Sequence, residues 1–437
     1  MVIKLKESNP SNAGPASTID TPAIVRGVID DIRANGDAAV RKYSEKFDKW
    51  SPASFKLSPE EIQQIIASVP KQIIDDIKEV QENVRTFAKA QKETLKDVEV
   101  EIRPGVHLGH KNIPINSVGA YIPGGRYPLL ASAHMTILTA KVAGCPHVTA
   151  CTPPIAGKIP VNTVAAMHLA GADEIYILGG VQAVAAMAIG TPTMKKVNFI
   201  AGPGNAFVAE TKRQLFGEEI GIDLPAGPTE ILIVADEHAD PFTVATDLLS
   251  QAEHGPDSPA VLITNSKTVG EKTIKEVERL LKILPTADIA GVSWARLGEV
   301  NVVKDLDEAY KLADEYAYEH VQILTQNPRE ALTKMSNYGA LFLGEKDVCL
   351  IRRQMYRNKP RPSNSRSSPI YWWILISAVW VGKFLRTVTY QEVTDPKESG
   401  KLGRLCGRAA RAENFEGHAR SGDVRAQKYL GDSFEWI

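Results

Sequence analysis

Two pairs of polar residues have the types and spacing of groups that do chemistry. Glu319 and His320 are adjacent, between an acidic, helix-like stretch at 307–318 and the apolar run 321–324. A carboxylate and an imidazole in a helix-to-strand turn can perform two proton transfers in one crevice. The two residues alone leave open the alternative that the pair decorates a surface loop.

Gln251 and His254 lie three residues apart near the end of a predicted helix. Asp240 and Pro241 predict its start, as N-cap and first helical residue, and Gly255 predicts its end. Both side chains then project from one face, where an amide oxygen and an imidazole nitrogen can bind one metal ion. Because glutamine is a weak ligand, the spacing is also typical of a polar helix end that binds nothing.

Glu413 and His418 lie in a C-terminal stretch, residues 402–437, that is rich in Arg, Glu, Ala and Gly. The composition predicts polar helices with few core positions, so either side chain could be simply solvated. A tail that cannot bury itself usually packs on another domain or on a partner subunit.

The elements that must position these residues are predicted by alternation along the chain. From about residue 117, short β-rich runs alternate with Ala-rich helical stretches; the runs are SVGAYIPG, HVTACTPP, EIYILGG, VNFIAGP, EILIVAD and AVLITNS. This alternation predicts an α/β fold, a parallel sheet covered by helices on both faces. Residues 20–97 predict a helical N-terminal segment instead, with Ser58 capping one helix.

Glycines follow several predicted strands, where an open α/β sheet binds its ligand. They are Gly119, Gly124–Gly125, Gly179–Gly180, Gly202 with Gly204, and Gly227. Each could be a plain turn glycine, but their recurrence favours a binding crevice. Neither GxGxxG nor GxxxxGK[ST] occurs, which excludes an ordinary dinucleotide fingerprint and a P-loop.

The composition limits the class of protein. The chain has 437 residues, 51 Lys and Arg against 52 Asp and Glu, and 43% hydrophobic residues, which predicts several folded domains and excludes a disordered chain. A net charge near zero argues against a nucleic-acid partner. Four Cys without CxxC spacing predict reduced thiols and a cytoplasmic location. The longest apolar runs, such as 370–376, are far shorter than the ~20 residues of a membrane span.

Together these residues stand in motifs that resemble the histidinol dehydrogenase family, which depends on NAD and zinc. The motifs are GAYIPGGRYPL, GGVQAVAAMA, AGPGNAFVAETK, DLPAGPTEILIVAD, LLSQAEHGPDSPAVLIT, YAYEHVQI and AENFEGHA, over most of residues 110–345 and roughly 380–437. The resemblance implies a cytoplasmic homodimer that oxidises L-histidinol through the aldehyde to L-histidine in histidine biosynthesis. It also implies two NAD+ used in turn and one Zn2+ per subunit.

The resemblance assigns roles position by position. Glu319 and His320 match the catalytic pair. The zinc ligands match Gln251, His254 and His418, and the NAD contacts match Tyr121, Gln182 and Asn205. The substrate contacts match Thr229, Gln251, His254, His320, Glu413 and His418.

The implied architecture is two incomplete Rossmann-like parallel-sheet domains, one inserted in the other, with a helical N-terminal segment and a C-terminal dimerisation tail. Residues 20–120 with 231–380 would form the first domain, and 121–230 the second, NAD-binding one. Residues 381–437 would form the tail, which brings Glu413 and His418 to the partner's site.

One block departs from the family. Between Glu345 and Gly382 the family has a Gly-Asp segment with an Asp zinc ligand, then N-H-x-L-P-T with a substrate-binding His. Here no acidic residue occurs from Val348 to Gln391, six basic residues fall within 352–366, and three of six Trp fall within 372–380. Such a composition is foreign to a sheet domain.

A reading-frame error accounts for the block. Residues 352–365 can be encoded so that removal of the first base gives Gly-Asp-Lys-Cys-Ile-Gly-Thr-Asn-His-Val-Leu-Pro-Thr, which restores both missing pieces in order. The frame returns near Trp380, because VGKFLRTVTYQEVTD resumes the family pattern. A genuine divergent insertion is the alternative. The chain as printed is then expected to bind zinc weakly and to be poorly active.

Other functions remain open. Thr229 stands where histidinol dehydrogenases usually have Ser, which favours a paralogous branch that oxidises another small polar alcohol or diol, such as sulfopropanediol. A non-catalytic descendant of the family is a further class. The basic cluster at 352–366 could bind nucleic acid, but the apolar run beside it and the neutral net charge argue against this.

Overall fold

The computed structural model describes residues 2–9, 20–124, 128–223, 229–346 and 379–436. Contacts divide the chain into two units, Met1–Lys89 with Ile115–Lys383, and Ala90–Pro114 with Phe384–Ile437. In the described ranges, every helix is too short or too polar to cross a membrane.

The strands and helices follow in chain order. The strands are β1 Ile3–Lys6, β2 Val98–Arg103, β3 Val106–Pro114, β4 Ser117–Tyr121, β5 His147–Thr152, β6 Glu174–Ile177, β7 Phe199–Ala201, β8 Gly221–Ile222, β9 Ile231–Ala235, β10 Ala260–Thr264, β11 Glu299–Val302, β12 His320–Leu324, β13 Ala340–Leu343 and β14 Leu385–Val393. The α-helices are α1 Thr21–Asn35, α2 Asp37–Asp48, α3 Pro59–Ser68, α4 Lys71–Thr94, α5 Leu130–Ala133, α6 Thr139–Ala143, α7 Val161–Leu169, α8 Gly180–Ile189, α9 Ala206–Leu215, α10 Pro241–Ala252, α11 Lys267–Leu280, α12 Ala287–Leu297, α13 Leu306–Tyr316, α14 Ala331–Lys334, α15 Pro396–Ala412 and α16 Glu416–Leu430. A π-helical turn, His134–Leu138, joins α5 to α6, and 3-10 turns form at Pro328–Glu330 and Val381–Phe384.

The first unit contains a six-stranded sheet in the order β1-β11-β10-β9-β12-β13. Its strands are parallel except β1, which pairs antiparallel with β11 at one edge. All residues of β9 and β10 are buried, as expected for central strands covered on both faces. Helix α10 packs on one face through Val244, Leu248 and Ala252.

A second, five-stranded parallel sheet of the same unit has the order β6-β5-β4-β7-β8. The chain runs outward from β4 through β5 to β6, then crosses to β7 on the other side of β4. The carboxyl ends of β4 and β7 therefore flank a topological switch point, the usual ligand crevice of such a sheet.

These two sheets confirm the predicted α/β class with parallel strands. The six β-rich runs noted in the sequence form β4, β5, β6, β7, β9 and β10. Gly179 and Gly202 follow β6 and β7 as predicted, whereas Gly119 lies inside β4, where a side chain would collide with Met187. The prediction that Gly119 ends a strand was therefore wrong.

The N-terminal helices α1 and α2 pack against the second sheet. Val25, Ile29 and Val40 share one core cluster with Tyr176 and Met187. Residues 20–120 are thus distributed among this core, β4 and the second unit. The division into domains implied by the resemblance stays a prediction.

The second unit joins an antiparallel sheet to a helical hairpin. The sheet has the order β14-β3-β2, and β14 pairs with β3 in unbroken register from Leu385 with Pro114 to Val393 with Val106. Helices α15 and α16 approach closely because small residues face each other. A side chain at Gly403 would lie 2.4 Å from the Gly422 carbonyl oxygen.

Candidate active site

The acid and the imidazole lie at the amino edge of the six-stranded sheet. Thr229 and Glu230 precede β9, Glu319 precedes β12, and His320 begins β12, where it pairs with Ile231. Because β9 and β12 are parallel neighbours, their first residues meet at one edge. This edge is opposite to the carboxyl ends, where the glycine pattern predicted a crevice.

His320 is held in one orientation. It is 2% exposed, its Nδ1 lies 3.0 Å from the Glu230 carbonyl oxygen, and its ring stacks on Phe342 with 5.8 Å between ring centroids. A carbonyl oxygen can only accept, so Nδ1 carries the proton and Nε2 has the basic lone pair. The backbone thus selects the tautomer that a general base needs.

Glu319 is joined to Gln251 through one hydroxyl. The Thr229 hydroxyl donates to Glu319 Oε2 at 2.8 Å and accepts from Gln251 Nε2. Gln251 and Glu319 are 0% and 1% exposed, so these bonds form out of water, where an unsatisfied polar group is costly. Glu319 Oε2 also lies 3.6 Å from His320 Nδ1, which makes the four side chains one cluster.

Gln251 and His254 stand at the end of α10. Asp240 caps the helix as predicted, accepting from the backbone of Phe242 and Thr243. The helix ends at Ala252, and Gly255 does not adopt a positive φ, so the prediction that Gly255 terminates it was wrong. His254 lies in the turn beyond, with its N–H 3.2 Å from the Gln251 carbonyl oxygen.

The described part of the chain offers few metal donors near this cluster. No group of three or more His, Cys, Asp or Glu side chains that could hold a metal occurs within the ranges given above. Structural and catalytic zinc sites use three or four protein ligands. Gln251 and His254 together give two.

Glu413 and His418 belong to the second unit. Both are exposed, Glu413 at the end of α15 and His418 in α16, where its ring lies 5.6 Å from that of Phe415. Their predicted roles in the site of a partner subunit stay predictions.

The predicted NAD contacts gather at the switch point of the five-stranded sheet. Tyr121 ends β4 and its hydroxyl accepts from the Gly180 N–H at 3.0 Å, while Asn205 is exposed and caps α9. Gln182 is fully buried and donates to Asp48 Oδ2 at 2.8 Å, with its own carbonyl oxygen unpaired. Burial raises the pKa of both Tyr121 and Asp48, so the phenol stays neutral.

Some buried polar residues of this unit were missed by sequence reasoning. Glu230 is 7% exposed and its carboxylate accepts from the Glu319 N–H at 3.4 Å. Its signal was an acid placed directly before the apolar run ILIVA. Asp247 accepts from Gln322 Nε2 at 2.7 Å, one helical turn below Gln251. No local pattern predicts this long-range pair.

The departing block, residues 348–380, lies almost entirely outside the described residues, so the frame-error hypothesis stays a prediction. The chain is described again from residue 379, and Leu385–Val393 forms β14.

Comparison with known proteins identifies the family. The sequence profile of the histidinol dehydrogenase family matches residues 13–426. A histidinol dehydrogenase homolog of Shouchella clausii is 55% identical, over 93% of this chain and 94% of the relative. The sulfopropanediol 3-dehydrogenase of Ruegeria pomeroyi is 42% identical, over 98% of this chain and 97% of the relative. The crystal structure of histidinol dehydrogenase from Elizabethkingia anophelis superimposes with a TM-score of 0.86 at 32% identity, covering 96% of this chain and 95% of that one. The chain therefore belongs to the histidinol dehydrogenase family of oxidoreductases.

Proposed function

We propose that the chain oxidises a small primary alcohol through the aldehyde to the carboxylate with two NAD+ in turn, and that the alcohol is L-histidinol. The observation that carries this proposal is the buried cluster of Thr229, Gln251, Glu319 and His320 at one edge of the sheet. It combines a base of fixed tautomer with a carboxylate held by a hydroxyl.

His320 serves the first oxidation. Its Nε2 accepts the proton of the substrate hydroxyl while the carbon-bound hydrogen leaves as hydride to NAD+, which gives the aldehyde and NADH. Neighbouring carboxylates stabilise the imidazolium that forms, since Glu319 Oε2 lies 3.6 Å from the ring and Glu230 is buried beside it.

Glu319 serves the second oxidation. As a base it removes a proton from a water molecule, whose oxygen adds to the aldehyde carbon. The aldehyde oxygen takes the proton that His320 gained in the first step, which completes the hydrate and returns His320 to its neutral form. The hydrate then loses hydride to a second NAD+ and a hydroxyl proton to His320, and becomes the carboxylic acid. The Thr229 hydroxyl orients Glu319 for this step because it donates to one carboxylate oxygen.

The dinucleotide would bind beside Tyr121 and Asn205, with Gln182 beneath. Their position at the carboxyl ends of β4 and β7, at the switch point, supports this assignment. Gln182 is fully buried and donates to Asp48, so it would meet the dinucleotide only if this side chain moved.

Zinc is part of the proposal, with Gln251, His254 and the partner subunit's His418 as ligands. The bond from Gln251 Nε2 to Thr229 turns the amide nitrogen to the hydroxyl, so the amide oxygen is the atom suited to a metal. When bound, the ion would position the amine and the imidazole of the substrate. Since the described residues of one chain contribute only Gln251 and His254 to this proposed set, His320 and Glu319 are assigned the proton transfers without the ion.

A homodimer would complete the site. Exposed apolar side chains on the second unit support a subunit contact there; they include Val98, Val100, Ile102, Leu405 and Phe415. Cys145 and Cys151 are buried thiols, which supports the proposed cytoplasmic location.

A second substrate has a specific observation in its favour. The 42% identity to a sulfopropanediol 3-dehydrogenase is slightly higher than the 38% identity to the histidinol dehydrogenase of Rhizobium meliloti. Thr229 also adds a methyl group at the proposed substrate contact. A paralog that oxidises a small polar diol is therefore the alternative.

The test compares two versions of the protein. The restored chain is the product read in the alternative frame from residue 352 to about residue 380, where the original frame returns, with Gly-Asp and Asn-His-Val-Leu-Pro-Thr in place. We expect tight zinc binding and NADH formation from the restored chain, and weak zinc binding with little NADH from the chain as printed. Equal activity of the two versions would refute the frame-error reading.

The substrate is tested on the restored chain with L-histidinol and sulfopropanediol side by side. Complementation of a histidine auxotroph by the restored gene supports L-histidinol. Turnover of the diol without complementation supports the paralog. NADH formation with neither would end the dehydrogenase proposal for these alcohols.

A further inference from the structure

We propose that Lys212 and Asp223 form a buried ion pair that holds Gly202 in place and so positions the loop that binds the dinucleotide. The inference rests on the proposed NAD+ site at Tyr121 and Asn205, and it adds two positioning residues to that site.

The pair binds both polar backbone groups of one residue. Lys212, on α9, is 1% exposed, and its Nζ contacts Asp223 Oδ1 and donates to the Gly202 carbonyl oxygen at 3.0 Å. Asp223, directly after β8, accepts from the Gly202 N–H through Oδ2 at 3.0 Å. Gly202 is therefore bound on its donor side by the acid and on its acceptor side by the amine.

At Gly202 the backbone that follows β7 contacts Tyr121, the last residue of β4. Its φ is +128°, and a side chain there would lie 2.0 Å from the Tyr121 carbonyl oxygen, so only glycine fits. Three residues later Asn205 caps α9 through the N–H groups of Phe207 and Val208. A displacement of Gly202 would therefore move Asn205 away from Tyr121.

Stability alone does not explain this pair. A buried ion pair gains little over apolar side chains of equal volume, because the loss of water offsets the attraction. Apolar side chains, however, could not bond the Gly202 peptide. Half-buried Lys383 also acts electrostatically on Asp223, so this carboxylate faces two cations.

The same helix offers a matched control. Arg213 follows Lys212 and pairs with Glu210 at 2.6 Å, but the Arg213 side chain is 62% exposed. A change at Arg213 removes an ion pair from α9 without touching Gly202.

The experiment measures NAD+ binding to the full chain by calorimetry. This measurement needs no alcohol. The variants are Lys212→Met, Asp223→Asn, the double variant Lys212→Met with Asp223→Asn, and Arg213→Met. We expect the Kd for NAD+ to rise about tenfold or more in the first three and to stay within about twofold of the parent in the control. Lys212→Arg, which keeps the cation, should recover most of the affinity.

A purely structural role would lower the melting temperature and leave the Kd of the folded protein unchanged. Unchanged Kd in folded Lys212→Met and Asp223→Asn would overturn the inference. If a single variant does not fold, the double variant decides, since it leaves no unpaired buried charge. If the parent itself binds no NAD+, the proposed function fails first, and this inference falls with it.

Discussion

At the residue scale, the Thr229 hydroxyl links the acid to the amide and should control both rate and substrate choice. Thr229→Val removes one hydrogen-bond donor from Glu319 and one acceptor from Gln251, which costs about 1–3 kcal/mol. We expect kcat/KM of the restored chain to fall roughly 10- to 100-fold. The matched control is Thr246→Val, whose hydroxyl bonds the Phe242 carbonyl on the exposed side of α10 and should not matter.

Thr229→Ser tests the substrate. It keeps both hydrogen bonds and removes one methyl group, which is worth about 1 kcal/mol, or roughly fivefold, in discrimination. We expect the ratio of kcat/KM for L-histidinol to that for sulfopropanediol to rise by this amount. A ratio that does not change would remove Thr229 from the determinants of specificity.

Substitutions at Glu319 and at His320 should affect the two oxidations differently. In Glu319→Gln the amide can still accept from Thr229 but cannot act as a base, so the second step should slow by roughly 10²- to 10⁴-fold. With an aldehyde trap present, the yield should fall from two NADH per alcohol to one. His320→Gln should give almost none. Glu315→Gln, an exposed position on α13, is the control, and two NADH per alcohol from Glu319→Gln would contradict the assignment.

At the scale of elements, the sequence predicts where a helix or strand begins and ends better than it predicts which other element packs against it. The caps of Ser58 on α3 and of Asp240 on α10 could be predicted because these signals are local. The Ser58 hydroxyl accepts from the Glu61 N–H, and the Glu61 carboxylate accepts from the Ser58 N–H. An amphipathic pattern says that one face of α1 is buried but not which sheet buries it. For the same reason Lys212 with Asp223, and Gln182 with Asp48, could not be predicted: no repeat in the sequence marks a bond between distant residues.

Buried His134 begins the π-helical turn His134–Leu138 and should make the free energy of unfolding depend on pH. Burial lowers the pKa of His134 from 6.5 to about 4, and Gln81 Nε2 lies 3.1 Å from its Nδ1. The folded state thus binds fewer protons than the unfolded state between these values. The stabilising contribution is complete above pH 6.5 and declines as the pH falls toward 4.

His134→Leu should remove this dependence. Between pH 7 and pH 5 the parent should lose about 2 kcal/mol more unfolding free energy than the variant, measured by urea denaturation at both values. Gln81 keeps a partner in the variant, since it also donates to the Ala166 carbonyl oxygen at 2.9 Å. Met135→Leu, a neighbouring change without a titrating group, should follow the parent; equal slopes in all three proteins would contradict the prediction.

At the scale of the whole molecule, the sequence alone assigns an α/β fold, and the resemblance assigns the partner's tail to the active site. The bonds that gather Thr229, Gln251, Glu319 and His320 lie within the first unit, whereas Glu413 and His418 are exposed residues of the second. Exposed polar residues give no packing signal. Whether Glu413 and His418 act in the site of the partner subunit can therefore be tested by exchanging subunits between two variants.

Mixing two variants of the restored chain, each unable to form the acid, answers this question. Glu319→Gln removes the base of the second oxidation, and His418→Asn removes the proposed ligand from the tail. If the tail of one protomer completes the site of its partner, a mixed dimer has one intact site, composed of Glu319 from the His418→Asn protomer and His418 from the other. Random reassociation should then restore about a quarter of the parental activity for acid formation. If each tail serves its own protomer, no mixed dimer contains an intact site, and the mixture stays as inactive as its components.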